Sequence, residues 1–154
     1  MPAPFTASIT DNDILQAFAN HGFGSAGLAE GTNANTYKTV NTLAFTINGV
    51  FKSKSATDNI AMTAAAGTVP PSSAALYAVW IDTSGNLSNT RGPVVDAADP
   101  CPVPTQTTAN VALVGLIKVV TNSSTTFTPG STDLGAAGVT DTYFDCSVMP
   151  GAAL

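Results

Sequence analysis

The chain has 154 residues, a length that fits one domain with a core of its own. Hydrophobic residues make up 44% of it and charged residues only 10%, against roughly 25% charged in an ordinary soluble protein. This balance excludes a disordered chain, and five basic residues within a net charge of −5 argue against binding to nucleic acid or to an anionic membrane.

The low charge also bears on the surface of the folded protein. That surface must be built from neutral hydroxyls, amides and small apolar groups. Contiguous neutral or apolar patches mark contact sites, and a lone monomer of this composition risks self-association. The composition therefore favours a subunit that sits against neighbours.

Residues 1–36 are expected to precede the main β-domain. Pro2 and Pro4 oppose a helix, so residues 1–9 predict an extended arm. Asp11–Asn20 predicts one short helix, and residues 21–36 are glycine-rich and predict a loop. No basic region followed by an apolar region opens the chain, so we expect synthesis in the cytoplasm unless a signal has already been removed.

Residues 37–154 are expected to form the β-domain, which begins with a hairpin. Leu43, Phe45 and Ile47 alternate with smaller residues at period two, and Asn48-Gly49 follows at once. An Asn-Gly pair between two such runs predicts a type I′ turn, because both turn positions need positive φ. A short strand is predicted next, at Ile60–Thr63.

The strongest strand predictions lie in the middle of the chain. Ala74–Asp82 predicts a strand, Asp82–Gly85 a turn, and Asn86–Asn89 a short returning strand. Residues 91–104 contain four prolines and predict an extended connector. Val111–Val120 predicts a largely buried strand in which Gly115 marks a bulge.

The remaining pattern completes the fold prediction. Thr125–Thr128 predicts a strand, Pro129-Gly130 a turn and Tyr143–Met149 the final strand. Many short strands with frequent turns predict a single all-β domain, built as a β-sandwich, jelly roll or barrel, behind an extended N-terminal arm and one short N-terminal helix.

Residues that often carry chemistry are scattered along this chain. His21 is the single histidine and is expected in an exposed loop. Cys101 and Cys146 are expected to be two small buried thiols, although a disulfide between them stays open. Asp96 and Asp99 are expected to be solvated loop carboxylates. We therefore predict no catalytic residue, no cofactor and no metal site.

Three aromatic residues could in principle stack on a sugar. Tyr77 and Trp80 lie on opposite faces of one predicted strand, and Tyr143 lies on another. Because one face of each strand must be core, core packing is the preferred interpretation for most of them.

Three segments resemble small virion proteins of bacteriophages and prophages. They are Ala44–Ile60 (AFTINGVFKSKSATDNI), Leu76–Leu87 (LYAVWIDTSGNL), and Ala112–Val119 (ALVGLIKV) followed by Phe127–Gly130 (FTPG). The chain is similar over roughly residues 44–130 to proteins that decorate or cement phage heads, and to related modules of head or tail fibres. The resemblance carries no catalytic residues.

The resemblance and the composition together imply a capsid decoration or cement protein. We expect it to bind the outer surface of the major capsid protein lattice, on the virion exterior, and to form a homo-oligomer, with a trimer favoured over a dimer. The arm supplies the candidate capsid contacts, Pro2, Pro4, Phe5 and Ile9.

Two other functions stay open at this point. A tail-fibre or head-fibre module that recognises host surface glycans would expose Trp80 or Tyr143. A small esterase or glycosidase would need a clustered acid and base, and the single histidine and scattered carboxylates argue against one.

Overall fold

A computed structural model of the chain describes residues 19–146 and residue 154. Within them the chain forms short strands and one turn of 3₁₀ helix, Ala64–Ala66, so the all-β prediction is confirmed for this part of the chain. In chain order the strands are β1 (His21–Phe23), β2 (Leu28–Glu30), β3 (Thr36–Thr39), β4 (Leu43–Ile47), β5 (Val50–Lys54), β6 (Thr57–Ala61), β7 (Ser73–Asp82), β8 (Leu87–Arg91), β9 (Val95–Asp96), β10 (Val111–Thr121) and β11 (Val139–Asp145).

The strands are arranged in three sheets, and every pairing between described strands is antiparallel. The largest sheet has the order β11-β10-β7-β8, with β9 also paired to β7. Two smaller sheets have the orders β1-β4-β5 and β2-β3-β6. The arm and most of the predicted helix lie outside the described residues, while Ala19 and Asn20 form a turn.

Strands β7 and β10 form the centre of the molecule because both of their faces are buried. Tyr77, Val79 and Ile117 face one apolar cluster, which also contains Phe45 of β4. Alternate residues, including Trp80, face a second cluster. A strand buried on both faces needs a continuous apolar run rather than an alternating one, and this explains the sequences AALYAVWI and VALVGLI.

The bulge predicted at Gly115 is confirmed. The register between β10 and β7 shifts between Leu113 and Gly115. A Cβ atom at Gly115 would lie 2.5 Å from the Leu28 side chain and 2.5 Å from the carbonyl oxygen of Phe144. Glycine is therefore required because the neighbouring strand and a core side chain approach too closely for any other residue.

The hairpin predicted around Asn48-Gly49 is also confirmed. Ile47 pairs with Val50, which leaves two residues in the turn, and both have positive φ, 53° at Asn48 and 74° at Gly49. The turn rests on the preceding segment, because the Gly49 N–H donates to the Ala19 carbonyl at 3.0 Å. This hairpin is β4–β5, and its turn type fixes which residues of β5 face which side.

The loop predicted over residues 21–36 is wrong in two places. β1 pairs with β4 and β2 pairs with β3, so both short strands join sheets of the main domain. The glycines at positions 22, 24, 27 and 31 led to the loop prediction, because glycine is depleted in strands. These two segments form strands because neighbouring strands pair with them.

The bounds of two strands, β6 and β11, also differ from prediction. The strand predicted at Ile60–Thr63 is β6, Thr57–Ala61, which tolerates Asn59 at φ 54° where its register with β3 shifts. The strand predicted at Tyr143–Met149 begins earlier, at Val139, because β10 extends to Thr121, which pairs with Val139. Residues 147–149 lie outside the described part of the chain.

Two further segments differ from prediction in their strand content. Only Phe127 of the strand predicted at Thr125–Thr128 pairs, in an isolated bridge to Val69. Nearby backbone N–H groups, including that of Thr125, bond instead to the Asn122 side chain. The connector predicted over residues 91–104 contains β9, which pairs with the start of β7.

Candidate functional site

The predicted capsid contacts Pro2, Pro4, Phe5 and Ile9 lie outside the described residues. Exposed apolar groups and reactive side chains of residues 19–146 are the remaining candidates. Proteins of low surface charge use exposed apolar groups for contact.

The aromatic residues predicted to be core are largely buried. Trp80 is 4% exposed and Tyr77 is fully buried. The Tyr77 hydroxyl donates to the carbonyl of Gly67 at 2.7 Å, and its ring meets the Phe127 ring edge-on. Tyr143 is half-buried, with its hydroxyl shielded from solvent. Core packing of Tyr77 and Trp80 is thereby confirmed, and neither ring is available to stack on a sugar.

The large apolar side chains that are exposed lie elsewhere, mostly on the β1-β4-β5 sheet. Phe51 is 66% exposed and Val50 is 57% exposed, both at the start of β5. Phe23 of β1 is 38% exposed, and its ring centroid lies 6.3 Å from that of Phe51. Val50 pairs with the buried Ile47 and therefore points to the face opposite Phe51. We call the neighbouring rings of Phe51 and Phe23 the hairpin patch.

The register of the sheet explains why Phe51 faces outward. Phe45 of β4 is 1% exposed and points into the core, and its partner on β5 is Lys52. Phe51 is paired with Thr46 and therefore lies on the opposite face, together with His21, which also pairs with Thr46. The two phenylalanine rings consequently flank the middle strand on its outer face.

Basic residues lie on the face of β5 opposite Phe51. Lys52 and Lys54, two of the five basic residues of the chain, alternate with Phe51 along β5. The ammonium of Lys52 donates to the carbonyl of Thr83 at 2.6 Å, which holds it beside the turn between β7 and β8. β5 thus carries exposed aromatic surface on one face and positive charge on the other, in a chain that is acidic as a whole.

The residues examined for reactive chemistry lie apart from this patch or play structural roles. His21 lies in β1 rather than in a loop, with its ring 5.2 Å from the Phe23 ring. Asp96 and Asp99 are exposed, as predicted. Among the described residues, no group of three or more His, Cys, Asp and Glu side chains could hold a metal ion.

The two cysteines are free thiols, and the disulfide left open by the sequence is not formed. Cys101 is a buried member of the second apolar cluster, and Cys146 packs against its border. Burial raises the pKa of each thiol. A raised pKa keeps a thiol protonated and unreactive. Cys101 is buried as predicted, whereas Cys146 is only partly buried.

A second unusual feature lies inside the core. The Tyr37 hydroxyl and both polar atoms of the Asn89 side chain are buried without a hydrogen-bond partner. Burial raises the pKa of Tyr37, and the Asn89 amide offsets part of that rise, so the two groups interact without reaching hydrogen-bond geometry. Sequence reasoning missed this pair, because β3 and β8 belong to different sheets.

The hairpin patch was also missed, although the sequence held a signal for it. The two-residue turn at Asn48-Gly49 fixes the register, so any residue paired with Thr46 must face away from Phe45. Counting residues onward from the turn therefore places Phe51 on the outer face.

The described residues include no helix long and apolar enough to cross a membrane. Comparisons of the chain with protein-family models, with curated proteins and with solved structures found no match.

Proposed function

We propose that the chain is a non-enzymatic structural protein of a bacteriophage particle, which decorates or cements the head by binding the outer surface of the capsid lattice. The observation that carries the proposal is the hairpin patch, in which Phe51 is 66% and Phe23 38% exposed on a chain with only 10% charged residues. An apolar patch of this kind serves contact with another macromolecule. The resemblance of residues 44–130 to phage virion proteins supports the capsid as that partner.

The mechanism would be thermodynamic. A protein that binds only the assembled lattice shifts the equilibrium towards the intact shell, through its differential affinity for the two states. Covering the exposed parts of Phe51 and Phe23 would contribute about 2–3 kcal/mol per subunit, before the entropy cost of binding. So weak a contact becomes effective when many copies act on one shell, or when copies associate with each other.

The proposal also covers the architecture, the oligomeric state and the N-terminal arm. The three sheets would be arranged as a sandwich, jelly roll or barrel-like body, and the copies would form a trimer on the exterior of the virion. The arm residues Pro2, Pro4, Phe5 and Ile9 would add contacts to a neighbouring subunit of the lattice.

The test is co-sedimentation of the purified protein with stripped, expanded phage heads, beside light scattering of the free protein. Saturable binding at a fixed stoichiometry, weakened by Phe51→Ala, is the expected result. Absence of binding to heads would overturn the capsid role.

The second candidate function is a fibre module that binds host surface glycans. Trp80 does not serve it, since it is buried, but the exposed Phe51 and Phe23 rings, tilted by 34° to each other, offer an aromatic surface for a sugar. Binding of the protein to a host-glycan array, lost in Phe51→Ala and combined with no affinity for heads, would favour this candidate.

A further inference from the structure

The outer edge of β5 is open within the described part of the chain. β5 pairs only with β4, through the register that runs from Ile47 with Val50 to Leu43 with Lys54. In a two-residue hairpin, the pair that flanks the turn exchanges both backbone hydrogen bonds, and bonded and non-bonded pairs then alternate. Val50, Lys52 and Lys54 therefore bond to β4.

The residues between them present their backbone to the open edge. The N–H and C=O groups of Phe51 and Ser53 point away from β4, by the same alternation. The middle strand supports this assignment, because the corresponding residues of β4, Thr46 and Ala44, turn towards β1 and pair with it. A row of outward N–H and C=O groups is a template for an additional strand.

The side chains of β5 indicate what kind of strand would be accepted. Val50 and Phe51 offer apolar surface, while Lys52 and Lys54 offer positive charge at alternate positions. Opposite charges on directly paired strands stabilise a sheet, and like charges destabilise it. An incoming strand that carries Asp or Glu opposite the lysines matches this pattern.

The same charges argue against a second copy of β5 as the partner. Antiparallel pairing of two β5 strands centred on Lys52 would place that residue opposite its own copy, and Val50 opposite Lys54. Lysines also guard natural sheet edges against self-association.

We infer that β5 accepts an extended acidic segment of a partner protein as an added β-strand. The inference rests on the proposed function, which makes the partner a capsid protein, and it specifies how that partner is held. Backbone hydrogen bonds to Phe51 and Ser53 would give affinity, and Lys54 would select acidic sequence.

The test uses Ser53→Pro in the full chain, with Ser53→Ala as its matched control. Proline removes the outward N–H of Ser53 and no bond to β4, a position that tolerates it on an edge strand. Alanine removes the hydroxyl and keeps the N–H. The probe is stripped, expanded phage heads, and bound protein is measured by co-sedimentation after circular dichroism and urea unfolding have shown each variant to be folded.

We expect wild type and Ser53→Ala to bind alike and Ser53→Pro to bind at least tenfold more weakly. Lys54→Glu should also weaken binding at least tenfold at low salt, with a smaller difference at high salt. Site-resolved hydrogen exchange of the wild type should show the amides of Phe51 and Ser53 protected when heads are bound. That measurement decides the question even if the proline variant fails to fold.

Three other results would overturn the inference. Equal binding by Ser53→Pro and wild type, or unprotected amides on heads, would refute strand addition and leave the capsid role intact. No binding by wild type would overturn both proposals. If the wild type forms an oligomer in the absence of heads and Ser53→Pro does not, the occupant of the edge is a second copy of the chain. The inference would then be wrong.

Discussion

Phe45 and Phe51 offer a matched pair of substitutions, because they lie on adjacent strands of one sheet and point to opposite faces. Phe45 is 1% exposed and belongs to the main apolar cluster, while Phe51 is 66% exposed. Phe45→Ala removes a buried ring and leaves a cavity, which costs about 3–5 kcal/mol in cores. Phe51→Ala removes mostly solvated surface, so its cost to stability should stay within about 0.5 kcal/mol.

Urea unfolding followed by circular dichroism measures this difference. With a denaturant slope of about 2 kcal/mol per molar, Phe45→Ala should lower the unfolding midpoint by roughly 1.5–2.5 M, and Phe51→Ala by no more than about 0.3 M. Co-sedimentation with phage heads should show the reverse order of effects. Phe51→Ala stays folded but binds heads more weakly. Equal losses of stability in the two variants would refute the assignment of Phe51 to an outer, contact-making face.

Three further predictions concern stability. Gly130 and Gly85 both have positive φ, 76° and 80°, but a Cβ at Gly130 would lie 2.6 Å from the Met62 carbonyl oxygen, while Gly85 has open space. Gly85→Ala should therefore cost about 1–2 kcal/mol and Gly130→Ala a further 1–3 kcal/mol or so in urea unfolding; equal costs would contradict the close approach. Asn89→Leu should leave the midpoint unchanged or raise it, since the buried amide has no partner, whereas Asn89→Asp should lower it; a loss above about 2 kcal/mol in the leucine variant would reveal a missing partner. Backbone N–H groups of the following turn hold the pKa of Asp82 below its ordinary value of 3.8, so its contribution to stability is present above pH 3.8 and is lost as pH falls through the lower folded pKa. The difference in midpoint between wild type and Asp82→Asn should narrow as the pH falls below about 4, and a constant difference would exclude this linkage.

The sequence determined the features that depend on neighbouring residues. Asn48-Gly49 fixed the hairpin because its turn type needs positive φ at both positions, and the apolar run in β10 predicted a largely buried strand. Gly115 predicted a bulge because glycine has no side chain to pack inside a strand and often marks an irregularity there. Alternation required only one face of β7 to be core, so the burial of both Tyr77 and Trp80 goes beyond what it predicted.

Other features depended on residues far apart in the chain, and only the tertiary structure decided them. β1 is a strand because β4 supplies its hydrogen bonds, although glycine-rich sequence around it reads as a loop. Tyr37 and Asn89 meet in the core from separate sheets, which no local pattern encodes. The hairpin patch combines both kinds of information: the turn sets the direction of Phe51, but the ring of Phe23 reaches it only because β1 lies on the other side of β4. Local sequence sets the conformation of each segment, whereas long-range pairing sets which faces remain for a partner.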